Sequence, residues 1–330
     1  MANTNIYDVA AQAKVSLATV SRVMNKPEKV NPETRERVLK VIKELGYRPN
    51  AIARGLASRK STTVGIVMSD VSRASTSQLL GGIMDIAKQY DYSLKLFSMP
   101  EGEDPKEVVK TVIAEQVDGI LFLNDELETN NLNAIINNIK DAQIPIVLCN
   151  VIHDDLDVPV VSIDYEKAVY ELTNDLINQG KKLIYFVSTV RTYSVNVHKL
   201  LGYEKAMKEH GLEPLVFRTS GEVSINKLHF EEFLKNNKIE AAISVRDSIA
   251  VSLMNIAINQ GIRVPEDMSI IGLQNTKYAL LSRPTLTCVD TPVYDIGAVS
   301  MRLLTKYMLD EKVEENKVLL PYTIVKRESN

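Results

Sequence analysis

The chain of 330 residues is 45% hydrophobic and 25% charged, an ordinary globular balance with room for two or three domains, which excludes a disordered polypeptide. Its apolar residues fall in short runs, none near the roughly 18 that a membrane span needs. The net charge of −3 conceals a division, because residues 1–60 carry twelve Lys/Arg against five Asp/Glu (+7) and the remainder carries 27 against 37 (−10). A basic head on an acidic body predicts a nucleic-acid contact confined to one end.

In chain order, Asn5 caps a short helix over 6–13 with Val9 and Ala10 facing inward. After Lys14 and Val15, Ser16 caps a second helix over 17–25, where Val20 and Val23 recur three apart on the buried side. Asn31 and Pro32 open a third helix; its Val38, Val41, Ile42 and Leu45 keep helical spacing up to Gly46, a residue suited to a C-terminal stop. Three short helices with this turn form a helix-turn-helix unit. The outward face of the second presents Leu17, Ala18, Thr19 and Arg22. An arginine there can donate two hydrogen bonds to guanine in the major groove, and small neighbours let the helix come close. A small bundle with a solvated basic face is the competing reading.

From Thr62 the period changes. Apolar runs appear at VGIVMS, SLKLFSM, GILFLN and PIVLCN, then at VVSID, LIYFVS, LVFRT, AAISV and SIIGL, with LTCVDT and VLLPYTIVKR following. Their alternation with helical stretches predicts an α/β class: two lobes, each a doubly wound parallel sheet covered on both faces. No Gly-x-Gly-x-x-Gly follows the first strand, so a dinucleotide cofactor has no support. Ligands of such sheets bind beyond the carboxyl ends of the strands, between the lobes. That rule nominates Asp70, Ser72, Ser75, Arg191, Lys199, Arg246, Asp247, Gln274 and Asn275. In TPVYDIGAVSMRLLTKYM, the residues Ile296, Val299 and Leu303 form an inward stripe, while Asp295, Ala298, Arg302 and Lys306 share another face. An exposed basic pair on a rigid helix suits a phosphorylated partner, since arginine grips phosphate with two bonds; a plain solvated face is the alternative. The adjacent Gly81 and Gly82 are expected to weaken the helix that holds them.

The run IYDVAAQAKVSLATVSRVMN followed by YRPNAIARGLAS resembles the headpiece and hinge of LacI/GalR-type repressors, and the resemblance extends along the whole chain. It implies a helix-turn-helix headpiece over 1–48, a hinge helix over 49–60 and a two-lobed, periplasmic-binding-protein-like core over 61–330. The N-lobe would take about 61–161 and 291–321, the C-lobe about 162–290 and 322–330. The implied function is a sequence-specific DNA-binding transcriptional regulator, mainly a repressor, acting as a cytoplasmic homodimer on palindromic operators. Contacts to double-stranded DNA would come from Tyr7, Ser16, Leu17, Ala18, Thr19, Arg22, Asn25, Asn50, Arg54 and Leu56. Leu56 corresponds to the leucine that relatives wedge into the minor groove, where an apolar side chain unstacks a base step and kinks the duplex. Gly55 inside the hinge costs about 1 kcal/mol, which suits a segment that orders only on DNA.

The wording YDIGAV-MRLLTK, with ARGLAS and TTVGI, is similar to the carbon-catabolite-control members of that family. Those members take as corepressor the phosphocarrier HPr phosphorylated on serine. Carried over by position, Asp85, Tyr90, Tyr294, Asp295, Arg302 and Lys306 would hold it, although SQLLGGIMD departs from the corresponding wording. Sugar- and purine-responsive relatives carry an aromatic just after the first strand and an Asp before the Asn numbered 275. This chain has Arg73-Ala74-Ser75 and Gln274 instead. A small sugar or sugar-phosphate effector in the interlobe cleft is the alternative controller.

Two further classes compete less well. For an enzyme, His153, His198, His210 and His229 show no metal-ligand spacing, and neither a HExxH helix nor a Gly-x-Ser-x-Gly elbow occurs. Cys149 and Cys288 supply no disulfide framework and no metal site, as fits a reducing cytoplasm. A free-standing solute-binding protein would suit the body, but MANTNIYDVA lacks a basic start with an apolar stretch, and the basic head would be unexplained.

Overall fold

The computed structural model describes residues 5–25, 27–47, 61–99, 104–123, 129–153 and 157–330. Two compact units divide the chain, Met1–Ser61 and Thr62–Asn330.

The first unit holds helices α1 (Ile6–Ala13), α2 (Leu17–Asn25) and α3 (Pro32–Glu44). Each start is written locally. The Asn5 side chain accepts from the Tyr7 and Asp8 amides while Asp8 reaches back to the Asn5 amide, a complete capping box. Ser16 Oγ accepts from Thr19 N at 3.1 Å, and Asn31 Oδ1 from Glu33 N at 3.0 Å. Lys14 turns the chain between α1 and α2 with φ of 53°, and Val15 N closes α1 by donating to Ala10 O at 3.0 Å. Val9, Ala10, Ala13, Val20, Val23, Val38 and Val41 fill the interior.

Among its described residues the second unit contains two six-stranded sheets. One joins β1 (Thr63–Met68), β2 (Ser93–Ser98), β3 (Gly119–Phe122), β4 (Ile146–Cys149), β5 (Val160–Ser162) and β11 (Lys317–Leu319) in the order β11-β5-β4-β3-β1-β2, parallel throughout. The other joins β6 (Ile184–Thr189), β7 (Leu215–Thr219), β8 (Ala241–Ser244), β9 (Ser269–Gly272), β10 (Thr287–Asp290) and β12 (Thr323–Val325) in the order β12-β10-β9-β8-β6-β7. Only β12 runs antiparallel to its neighbour. Strands β3, β4, β8 and β9 are buried along their whole length, as continuous apolar runs between helical layers must be.

The chain crosses between these lobes three times: from β5 into α7 (Tyr165–Asn178), from β10 into α12 (Val293–Met308), and from β11 into β12. VLLPYTIVKR is therefore two strands rather than one. Pro321, with no N–H to donate, falls between them, and each half joins a different sheet. The expected weakness at Gly81 and Gly82 is not seen: α4 (Ala74–Gln89) runs unbroken through both, because α12 packs against its backbone there. No helix among the described residues is long and apolar enough to cross a membrane.

Candidate functional site

Three surfaces collect the residues nominated from sequence. On the headpiece, Ala18 and Arg22 are exposed one turn apart on α2, and Tyr7 is exposed nearby in sequence on α1. Ser16 Oγ lies 2.9 Å from Thr19 Oγ1, so both hydroxyls are held at the start of α2. Leu17, expected on the outward face, is half-buried and packs against the headpiece core, where it covers the seam at the helix start. Asn25 ends α2. Asn50, Arg54 and Leu56 lie outside the described residues.

The second surface is a cavity at the carboxyl ends of both sheets. The N-lobe contributes Arg73, Ser75 and Asn150; the C-lobe contributes Tyr193, Asn196, Lys199, Arg246 and Gln274. Four of the nine nominated residues, Ser75, Lys199, Arg246 and Gln274, line it. Lys199 is 2% exposed, with Nζ donating to Val245 O at 3.1 Å and lying 4.8 Å from the centre of the Tyr165 ring. A buried ammonium survives only with such partners.

The other five do not line it. Asp70 Oδ1 accepts from the Ser72 amide at 2.8 Å and the Ser72 hydroxyl at 2.6 Å, and Oδ2 stands 3.4 Å from Arg73 Nε. Burial would raise this carboxyl, but the Ser72 bonds and the charges of Arg73 and Arg246 outweigh it and hold it below its ordinary value. Asp247 is wholly buried; Oδ2 accepts from the Thr276 amide at 2.5 Å and hydroxyl at 2.9 Å, and Oδ1 from the Gln274 amide at 3.2 Å. It thereby sets the loop that carries Gln274. Asn275 has φ of 56° and turns away, its Oδ1 accepting from Arg327 Nη2 at 2.7 Å. Arg191 is exposed, and its carbonyl accepts from Thr189 Oγ1 at 2.8 Å.

Sequence reasoning missed Arg73, Asn150, Tyr193 and Asn196. The strand-end rule reaches Asn150, which directly follows β4, and Tyr193, which caps α8 (Ser194–Glu209) shortly after β6. What no strand-end rule supplies is that Arg73 and Tyr193 meet.

The third surface lies on α4 and α12. Asp85, Tyr90, Tyr294, Asp295, Arg302 and Lys306 are all exposed. The Tyr294 hydroxyl donates to Asp85 Oδ2, and that bond raises the phenol above its ordinary value. Arg302 and Lys306 lie one turn apart and line a groove with Lys312, Glu314 and Glu315. Ile296 and Leu303 face inward as expected, but Val299 is half-buried beside that groove and Ala298 is half-buried at the crossing with α4. Among the described residues no grouping of His, Cys, Asp and Glu could hold a metal ion.

Known proteins resemble this chain along its length. Residues 5–50 match the family model for bacterial regulatory proteins of the lacI family, and residues 173–330 match that for a periplasmic binding protein-like domain. The chain is 40% identical over 338 aligned residues to catabolite control protein A of Priestia megaterium, covering 99% of each. Among solved structures, the transcription regulator CcpA of Lactococcus lactis is 33% identical, with a TM-score of 0.71 over 81% of this chain and 98% of that one. The lac repressor dimer bound to operator and the anti-inducer ONPF superposes with a TM-score of 0.91 over 99% of both chains at 24% identity, a likeness of fold.

Proposed function

The chain belongs to the LacI family of bacterial regulatory proteins and is a DNA-binding transcriptional regulator, not an enzyme; from that premise we propose that it controls carbon catabolite genes, mainly as a repressor, with serine-phosphorylated HPr as corepressor. The observation that carries the corepressor is the α4–α12 face. Arg302 and Lys306 stand exposed on a helix clamped to its neighbour, about two and three turns along from Tyr294, which is bonded to Asp85. The Tyr294–Asp85 pair, already ordered, loses little side-chain freedom on docking, and Arg302 offers a guanidinium for bidentate phosphate binding.

In this reading residues 1–48 read the operator through Arg22, Ala18 and the hydroxyls beside them, residues 49–60 form the conditional hinge with Leu56 as wedge, and residues 61–330 sense the partner. Two protomers would place two headpieces on successive half-sites of a near-palindrome. Support for pairing comes from the C-lobe, where Leu228, Ile258, Tyr278, Leu280 and Leu281 are exposed on the packed helices α9 (Val223–Asn236), α10 (Asp247–Asn259) and α11 (Lys277–Leu281). Exposed apolar side chains on neighbouring helices are a common mark of a protein–protein interface. The acidic body repels DNA except at the head, so affinity should fall steeply with salt.

A second reading has its own observation. Arg73, Lys199 and Arg246 converge on the interlobe cavity, which favours an anionic small effector such as a sugar phosphate. One titration separates the two: operator binding measured alone, with HPr, with serine-phosphorylated HPr, and with a sugar phosphate. Enhancement by the phosphorylated protein alone supports the corepressor; a response to the sugar phosphate alone replaces it with the effector.

A further inference from the structure

Two-lobed clamps ordinarily close because a ligand bonds to both lobes at once. In this chain the loops that face each other across the cavity bond directly. Arg73, in the N-lobe between β1 and α4, donates from Nη2 to the hydroxyl of Tyr193, in the C-lobe, at 2.8 Å. Its guanidinium carbon lies 4.8 Å from the centre of the same ring. The arginine is aimed from behind by Asp70, itself fixed by both bonds from Ser72. Two more bonds cross between the lobes: the buried Ile152 amide of the N-lobe donates to Ser194 Oγ at 3.0 Å, and Asn150 Oδ1 accepts from the Tyr165 hydroxyl at 2.8 Å. In all three bonds the segment that follows an N-lobe strand grips the first turn, or the cap, of a C-lobe helix.

We propose that Arg73 is a built-in latch, reaching from the N-lobe lining of the cavity to Tyr193 of the C-lobe and bonding to it as a ligand would, so that closure of the lobes does not require a ligand. The bond is favoured on three counts. The donor is charged and planar, the acceptor ring is 5% exposed and held in place, and the guanidinium stacks on the face it bonds beside. Closure is then set by the chain itself. A molecule entering the cavity must break or replace the Arg73–Tyr193 bond, and control of the closed state passes to partners on the outer surface. That last consequence rests on the regulator reading; the latch does not.

The test uses full-length protein with spin labels on Lys110→Cys in the N-lobe and Lys208→Cys in the C-lobe, both exposed, while the native cysteines are buried. Interlobe distances are measured without ligand in the otherwise wild-type chain, in Arg73→Ala, in Tyr193→Phe and in the double variant. The latch predicts a single short distance in the parent, a shift of the closed-to-open ratio of about tenfold in Tyr193→Phe, a larger shift in Arg73→Ala, which also loses the stacking on the ring, and a double variant that matches Arg73→Ala, since the hydrogen bond is lost only once. Tyr193→Phe keeps the ring and its packing, and an unchanged thermal midpoint shows that the lobes remain folded. An open population in the parent, an unmoved ratio in both variants, or shifts that multiply in the double would each overturn the latch. Operator binding by the same proteins is read separately, and its absence in the parent counts against the regulator reading alone.

Discussion

Gly82 of α4 rests on the backbone of Tyr294 in α12, so closely that a β-carbon at Gly82 would overlap the Tyr294 carbonyl oxygen. The contact is reciprocal: a β-carbon on Gly297 would overlap the carbonyl oxygen of Leu79. Two helices thus cross with no side chain between them, and the crossing brings Asp85 and Tyr294 into their hydrogen bond. Gly81 differs, since a β-carbon there would meet the Tyr294 ring at an ordinary 3.6 Å. Gly82→Ala should therefore cost about 1–3 kcal/mol through overpacking and, under the proposed corepressor function, weaken binding of phosphorylated HPr. Gly81→Ala should stabilise the core by about 0.4–1 kcal/mol, by limiting the unfolded chain. Urea unfolding midpoints of the two variants, moving in opposite directions, check the assignment.

Arg22 stands exposed on α2, with the exposed Ala18 one turn earlier. Arg22→Ala should cost about 1–3 kcal/mol of operator affinity, concentrated at one base position of each half-site. Leu56→Ala should weaken operator binding and spare nonspecific binding, because unstacking applies only at the kinked step. Competition titrations against operator and random duplex separate the cases; equal losses on both duplexes would remove Leu56 from its assigned role.

Asp247 tests the floor of the cavity. Its two oxygens accept three hydrogen bonds, and an amide would turn an NH2 group toward one set of donors. Asp247→Asn should cost about 1–3 kcal/mol and disorder Gln274. Burial, outweighing the Thr276 and Gln274 donors and the charge of Lys199, holds this carboxyl above its ordinary value of 3.8. A carboxyl raised on folding binds its proton more tightly in the native state. Its contribution therefore favours folding below the unfolded value and declines as pH rises above 3.8 through the native value. The stability advantage of the parent over Asp247→Asn should shrink along that rise, as denaturant titrations at a series of pH values would record.

Cys149 and Cys288 are buried, and burial pushes both thiols up to about 12. Since only the thiolate attacks, alkylation of the native protein at pH 8 should be slower than in denaturant by on the order of a thousandfold. Mass spectrometry of timed iodoacetamide reactions reads this directly. Fast labelling of Cys149, which lines the cavity, would mean that the lobes open far more often than their interlobe bonds imply.

Much of this protein is legible in its sequence because the governing physics is local. Asn5, Ser16 and Asn31 start their helices by bonding amides two or three residues away, and a run such as GILF or AAIS can only be a strand covered on both faces. The basic head and acidic body are likewise present before any folding. What only the tertiary structure decided depends on residues far apart in the chain. Gly82 looks like a helix defect until Tyr294 arrives against it, 212 positions later. Asp247 looks like a cleft residue until Thr276 and Gln274 close over it. Arg73 and Tyr193 are unremarkable in their own segments and become a bond only because two sheets present their carboxyl ends to one another. Capping and periodicity act within a few residues, so they can be read along a line; close packing and interlobe bonding are relations between surfaces, and those exist only once the chain has folded.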